Sequence, residues 1–311
     1  MKTLLPPWIE RCELAGDVST RIYERLRDSS GMTAILVTYP PPLRGAIEPH
    51  LRVRSWCEDH GLPVPRLLDC NVGKGWALVE DFGPDDASAQ LAHCAPERRF
   101  ELLQAALGPL RTLAAVPIAE APAWNPPLDG RRLRWELAGF ELWFIRHRCG
   151  LRPVPEVGEW LDQLAGTIDT HPRRPCHRDY HLNNIFMLED GRVGLIDYQD
   201  LTTGPDTYDA VSLLGERETP QILGQGMVDG LREAWAESTG AAPGWRDRWP
   251  WVRAQRGLKA IGTFSRLGAA DRPEYHRWLR SLCLNLQSDL RRLGAPEVLR
   301  EALFLAGAGR S

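Results

Sequence analysis

The chain has 311 residues, enough for one large domain or two lobes with a sizeable core. At 43% hydrophobic and 25% charged residues it has an ordinary globular composition, and a formal net charge of -3 argues against a nucleic-acid binder working through bulk charge. No apolar stretch approaches the ~20 residues that span a bilayer, and Pro6, Pro7, Glu10 and Arg11 break the short apolar start, so neither a membrane partner nor a signal-peptide core is expected.

In chain order, RIYERLRD at 21–28 alternates apolar and polar side chains, and TAILVTY at 33–39 is a β-type run bounded by Gly31 and Pro40. A helical piece follows, with Leu51, Val53 and Trp56 among charges, and Gly61 and Pro63 stop it. GWALVEDFG at 75–83 reads as a buried strand ending in acids and a glycine. From Pro96 the period changes: Phe100, Leu103, Leu107 and Leu110 recur at steps of three and four, predicting one amphipathic helix over 97–116. Residues 133–148 and 157–168 repeat that period, and nearly everything beyond Thr207 reads helical, with breaks at Gly204-Pro205 and 240–245. The fold class is therefore α+β, with a small β-rich lobe over 1–83 and a larger, mainly helical lobe over 84–311. Seven cysteines without a C-x-x-C pair point to reduced thiols in the cytoplasm.

The densest chemistry is PCHRDYHLNNIF, 175–186. It runs into an apolar strand, a turn centred on Asp190-Gly191, and a returning strand that ends at Asp197. In such a hairpin Asn184 and Asp197 take matching positions on the two arms, returning an amide oxygen and a carboxylate to one open end. Few oxygen ligands, with phosphates and water for the rest, suit Mg²⁺. Asp179, on the loop feeding the first arm, can accept a proton from a hydroxyl nucleophile. His177 and His181, four apart, could instead be zinc ligands, but no third ligand is near in sequence. Cys176 reads as a buried cysteine rather than a thiol nucleophile, and Asp209 as a helix cap or a brace for the loop. Trp135, Trp143 and Trp160 lie in helices and read as core, with stacking on a sugar ring as the alternative.

His177-x-Asp179-x-x-x-x-Asn184 followed by Ile196-Asp197 resembles the catalytic loop and metal aspartate of protein-kinase-like phosphotransferases. The continuation "DYQD" at 197–200 is closer to the aminoglycoside phosphotransferase and choline kinase branch than to the D-F-G of protein kinases. The longer run from His177 to Leu214, LAGDVSTRIYER at 14–25 and QRGLKAIGTFSRL at 255–267 are similar to bacterial kinases of cell-wall recycling that phosphorylate N-acetylmuramate and N-acetylglucosamine at the C1 hydroxyl.

That resemblance implies an ATP- and Mg²⁺-dependent sugar kinase. Gly16, Asp17, Val18 and Ser19 would lie over the ATP phosphates, with Arg21 adding positive charge. Leu78, Val79 and Glu80 would meet adenine through their backbone. Asp179 would be the base, Asn184 and Asp197 the metal ligands, and His181, Asn183, Gln199 and Asp200 the groups that hold the small-molecule acceptor. One departure stands out: the lysine that kinase-fold enzymes place on the third strand is missing from TAILVTY. The alternatives are another small-alcohol kinase, acting on an aminoglycoside, choline or homoserine, and a nucleotide-binding pseudokinase.

Overall fold

Alternating side chains along the first part of the chain produce strands with two different faces. The computed structural model describes residues 7–14, 21–215, 219–270 and 275–309. They divide into two units, Met1–Leu91 with Leu182–Asp200, and Ala92–His181 with Leu201–Ser311.

In the first unit, β1 (Trp8–Leu14), β2 (Ile22–Asp28), β3 (Thr33–Thr38), β4 (Leu67–Asn71) and β5 (Trp76–Glu80) form one antiparallel sheet in the order β1-β2-β3-β5-β4. One face packs Leu26, Ala34 and Leu78 against Trp8, Leu36, Leu68 and Trp76. On the other, Val37 and Tyr39 pack with Ile47 and Leu51 of helix α1 (Ile47–Asp59). The hairpin of β7 (Ile185–Met187) and β8 (Val193–Leu195) belongs to this same unit. Leu195 donates its N–H to the Pro63 carbonyl at 2.8 Å. Phe82 lies so close over Gly194 that a Cβ there would sit 2.5 Å from its ring, so only glycine admits this contact.

The second unit is helical apart from the antiparallel pair β6 (Arg173–Cys176) and β9 (Thr202–Pro205). After α2 (Ala87–His93), the apolar period at 97–116 yields two helices rather than one, α3 (Pro96–Ala106) and α4 (Gly108–Ala115). Pro109 lacks the N–H that a continuous helix would need, and it sits in the first turn of α4, where that N–H is not missed. Helix α5 (Gly130–Gly139) runs directly into a π-helical stretch, Phe140–Arg148, and α6 (Pro155–Asp169) follows. Beyond β9 come α7 (Tyr208–Gly215), α8 (Thr219–Leu223), α9 (Gln225–Thr239), α10 (Trp245–Ala269), α11 (Tyr275–Asn285), α12 (Gln287–Arg292) and α13 (Glu297–Gly307). Gly262 lets α10 pack on the start of the π-helical stretch, since a Cβ there would lie 2.6 Å from the Phe140 backbone nitrogen. Trp160 is core, whereas Trp135 is 72% exposed and is no core residue. Among the described residues no helix is long and apolar enough to cross a membrane.

Candidate active site

Strand β6 feeds the loop that carries Asp179, and Asp209 in the first turn of α7 fixes its start. The Asp209 carboxylate accepts the backbone N–H of His177 at 2.6 Å and of Arg178 at 2.9 Å, and the Cys176 thiol at 3.2 Å. Asp209 is thus the brace of the loop. Cys176 is buried, and burial together with Asp209 pushes its thiol well above the ordinary range, which removes it as a nucleophile. Arg178 sits in the left-handed region at φ 77°, a costly conformation for a residue with a Cβ, and its guanidinium is anchored on Glu136 at 2.7 Å. Arg256 donates to the Arg178 carbonyl at 2.6 Å and to Ser212 Oγ at 2.7 Å. Lys259 Nζ lies 3.3 Å from the same Glu136, and Gln255 donates to its other oxygen at 3.3 Å.

This network decides the state of Asp179. Burial alone would raise its pKa, but Lys259, Arg256, His181 and Arg178 outweigh burial and hold the carboxyl below its ordinary range. Glu136 behaves the same way: burial opposes ionisation, and Lys259 and Arg178 overcome it. Asp179 is therefore an ionised acceptor at neutral pH, on a loop whose backbone is tied down. Sequence reasoning did not assign roles to Glu136, Arg256 and Lys259. The readable signal was charge inside an apolar stripe, since Glu136 falls between Leu133, Leu137 and Phe140, all fully buried.

The first unit holds the other predicted residues. Residues 16–19 lie outside the described residues. Ile196 donates its N–H to the Asn184 carbonyl at 3.0 Å, so Ile196 faces Asn184 and Asp197 comes one residue later than the matching position expected for it. At that point the strand ends: Asp197 adopts φ 61° and leads into a 3₁₀ turn, Tyr198–Asp200. The Asp197 carboxylate accepts from Gln199 Nε2 at 2.7 Å and lies 3.6 Å from Arg21. Arg21 also reaches Gln199 Oε1 at 3.4 Å. Asn184 is nearly buried, while the Asp197 side chain is 39% exposed. Asn183 donates its amide to Asp86 at 3.1 Å. Leu78, Val79 and Glu80 lie on β5, paired with β3 on one side and β4 on the other, and Glu80 gives its N–H to the Arg66 carbonyl. Asp179 and His181 lie in the second unit, so the predicted set is divided between the two.

As donors, Asn184 and Asp197 are a hard amide oxygen and a carboxylate, a pair that could hold Mg²⁺ with phosphate oxygens completing its shell. Among the described residues no cluster of three or more His, Cys, Asp or Glu is arranged to hold a metal ion, and His177 packs its ring edge-on against Tyr180.

Residues 10–255 match the model of the phosphotransferase enzyme family, APH. An N-acetylmuramate/N-acetylglucosamine kinase of Pseudomonas aeruginosa is 29% identical over 290 residues, covering 87% of this chain and 80% of that protein. Among solved structures, the choline kinase LicA from Streptococcus pneumoniae superposes with a TM-score of 0.65 at 12% identity, covering 94% of this chain and 95% of that one. An aminoglycoside phosphotransferase from Streptomyces rimosus, in complex with ADP and streptomycin, gives 0.53 at 18% identity over 76% and 90% of the two chains. The expected kinase-like fold and its aminoglycoside phosphotransferase and choline kinase branch are both borne out.

Proposed function

The chain belongs to the phosphotransferase enzyme family, and from that premise we propose that it transfers the γ-phosphoryl group of ATP to the anomeric C1 hydroxyl of an N-acetylated amino sugar, N-acetylglucosamine or N-acetylmuramate. The observation that carries the chemistry is the Asp179 carboxylate, held ionised by Lys259, Arg256, His181 and Arg178 on a loop that Asp209 braces. The choice of acceptor rests on the name of the Pseudomonas relative, which aligns with 80% of its own length.

Asp179 orients the acceptor hydroxyl and takes its proton. A carboxylate held this firmly ionised is a weak base, which fits a loose transition state in which the proton moves late and positioning does most of the work. Asn184 and Asp197 would hold Mg²⁺, which when bound would neutralise charge on the phosphates. Residues 16–19, with Arg21, take the phosphates. Leu78, Val79 and Glu80 supply the adenine edge, and Glu80 must use its carbonyl because its N–H is already given to Arg66. His181, Asn183, Gln199 and Asp200 address the hydroxyls and N-acetyl group of the sugar, with Asn183 and Gln199 each committing one amide contact to Asp86 and Asp197.

The test is incubation with ATP and Mg²⁺ against a panel of amino sugars, aminoglycosides, choline and homoserine, following ADP release and the phosphorus spectrum of the product. An acid-labile phosphate on C1 of an N-acetylated sugar is expected. A stable phosphate ester at another hydroxyl, turnover only with a non-sugar acceptor, or nucleotide binding without any turnover would each defeat the reading.

A further inference from the structure

The cations around Asp179 differ in how they are held. The Arg178 side chain is 8% exposed, and its guanidinium rests on Glu136. Arg256 is buried and reaches the Arg178 carbonyl and Ser212. Both brace the loop. Lys259 is different. Its side chain is 26% exposed, and among the described residues its ammonium makes one hydrogen bond, to Glu136 at 3.3 Å. An ammonium has further N–H groups to give. Asp179 is likewise only half-buried. Burial opposes the Asp179 charge, and Lys259 is the strongest of the groups that favour it. The lysine therefore stands beside the reactive carboxylate with donors to spare and a part of its side chain open to solvent.

In the resting protein Glu136 and Asp179 offset the Lys259 charge. Phosphoryl transfer upsets that balance. The acceptor oxygen bonds to the γ-phosphorus, the bond from that phosphorus to the bridging oxygen breaks, and its electron pair leaves with ADP. The acceptor proton passes to Asp179. Once protonated, Asp179 no longer offsets the lysine, and a cation facing a neutral acid in a partly desolvated site is costly. What arrives at the same hydroxyl is the phosphoryl group, with negative charge spread over its equatorial oxygens. We propose that Lys259 is a second catalytic residue, which donates an N–H to an oxygen of the transferring phosphoryl group, so that its charge passes from the Asp179 carboxylate to the phosphoryl as the proton moves. The inference rests on the phosphotransfer reading above. It requires only that the acceptor hydroxyl lie at Asp179, because Asp179 and Lys259 belong to one unit. A compact ammonium on a flexible stem suits such a change of partner better than the rigid fork of an arginine.

The experiment measures kcat, the affinity for ADP, and the affinity for ADP, Mg²⁺ and aluminium fluoride in the presence of an acceptor that the wild type turns over. The fluoride complex mimics the phosphoryl group in flight. The proteins are the wild type, Lys259→Met, Asp179→Asn and the double variant, at mildly alkaline pH so that the carboxylate stays ionised wherever it is present. Lys259→Met is expected to lower kcat and the affinity for the mimic by about a hundredfold, the worth of one donor aimed at transition-state charge, and to leave the affinity for ADP alone unchanged. In the Asp179→Asn background the mimic should lose a similar factor, because the contact does not run through the carboxylate. A lysine that merely positions Asp179 would cost nothing further in that background, and this result overturns the inference. An equal loss of ADP affinity, the mark of a structural role, overturns it too. If Lys259→Met does not fold, Lys259→Gln carries the same comparison with the same outcomes. A folded wild type that transfers phosphate to no acceptor defeats the functional reading and takes the inference with it. A wild type that turns over while the double variant shows no independent loss defeats the inference alone.

Discussion

Around Asp179 every charge has a counter-charge close by. Arg178 and Lys259 share Glu136, and Arg256 closes the loop from behind through the Arg178 carbonyl. Around Arg21 the close partners are a tyrosine, a histidine and a glutamine, and the carboxylate stands at 3.6 Å. The first cluster spends its electrostatics internally, fixing one carboxylate in one state on one backbone. The second surrounds its cation with neutral side chains as well as the Asp197 carboxylate. A group that must keep its protonation state needs compensated surroundings.

The largest effect that would sharpen this contrast is on turnover. Asp179→Asn is expected to lower kcat by about a thousandfold, within the range for loss of a positioned base, while ADP affinity stays at the wild-type value. Loss of ADP affinity would break the comparison by showing that the Asp179 cluster also serves the nucleotide. Next comes stability. Glu136→Gln leaves Arg178 and Lys259 without their shared carboxylate, and breaking a buried pair of this kind costs about 3 kcal/mol, visible as a lower urea midpoint. A midpoint that does not move would mean that the shared carboxylate does not hold the Asp179 cluster together.

The smallest effect is acid sensitivity away from both clusters. Burial, with nearby arginines, pushes His171 from the ordinary 6.5 down to about 4. The unfolded chain therefore takes up this proton below about pH 6.5 and the folded chain does not, so the contribution is intact above that value and declines as pH falls toward 4. His171→Gln should flatten the fall of Tm over this window, and an unchanged slope would assign the acid loss elsewhere.

Much of the reactive loop was legible because its residues lie within one short run and because an Asp-Gly turn announces the hairpin after it. Strands β2, β3 and β5 and helix α1 could be read from their periods. Strand β1 could not: WIERCEL is an edge strand, exposed along most of its length, so it carries little of the alternation that burial imposes. Strand β4 is half-buried throughout and follows a proline-rich stretch. The split at Pro109 was written in the sequence but was overridden by an apolar period that continues across it. The π-helical stretch depends on packing between segments more than a hundred residues apart, as does the meeting of Glu136 with Lys259, and no local pattern encodes either. The one-residue offset between Asn184 and Asp197 was hidden for another reason: a strand pattern cannot reveal that its last residue leaves the ladder in a left-handed conformation.

Gly262 has a consequence for how this protein can change. It touches no reacting group, yet the bare hydrogen on its Cα sets how far α10 stands from the Phe140 backbone, and α10 carries Lys259 less than one turn away. The position works as a spacer: thickening it by a single methyl would move a cation it never contacts. A side chain there would have to push α10 away from the Phe140 backbone, and Lys259 would then meet its partners at the wrong reach.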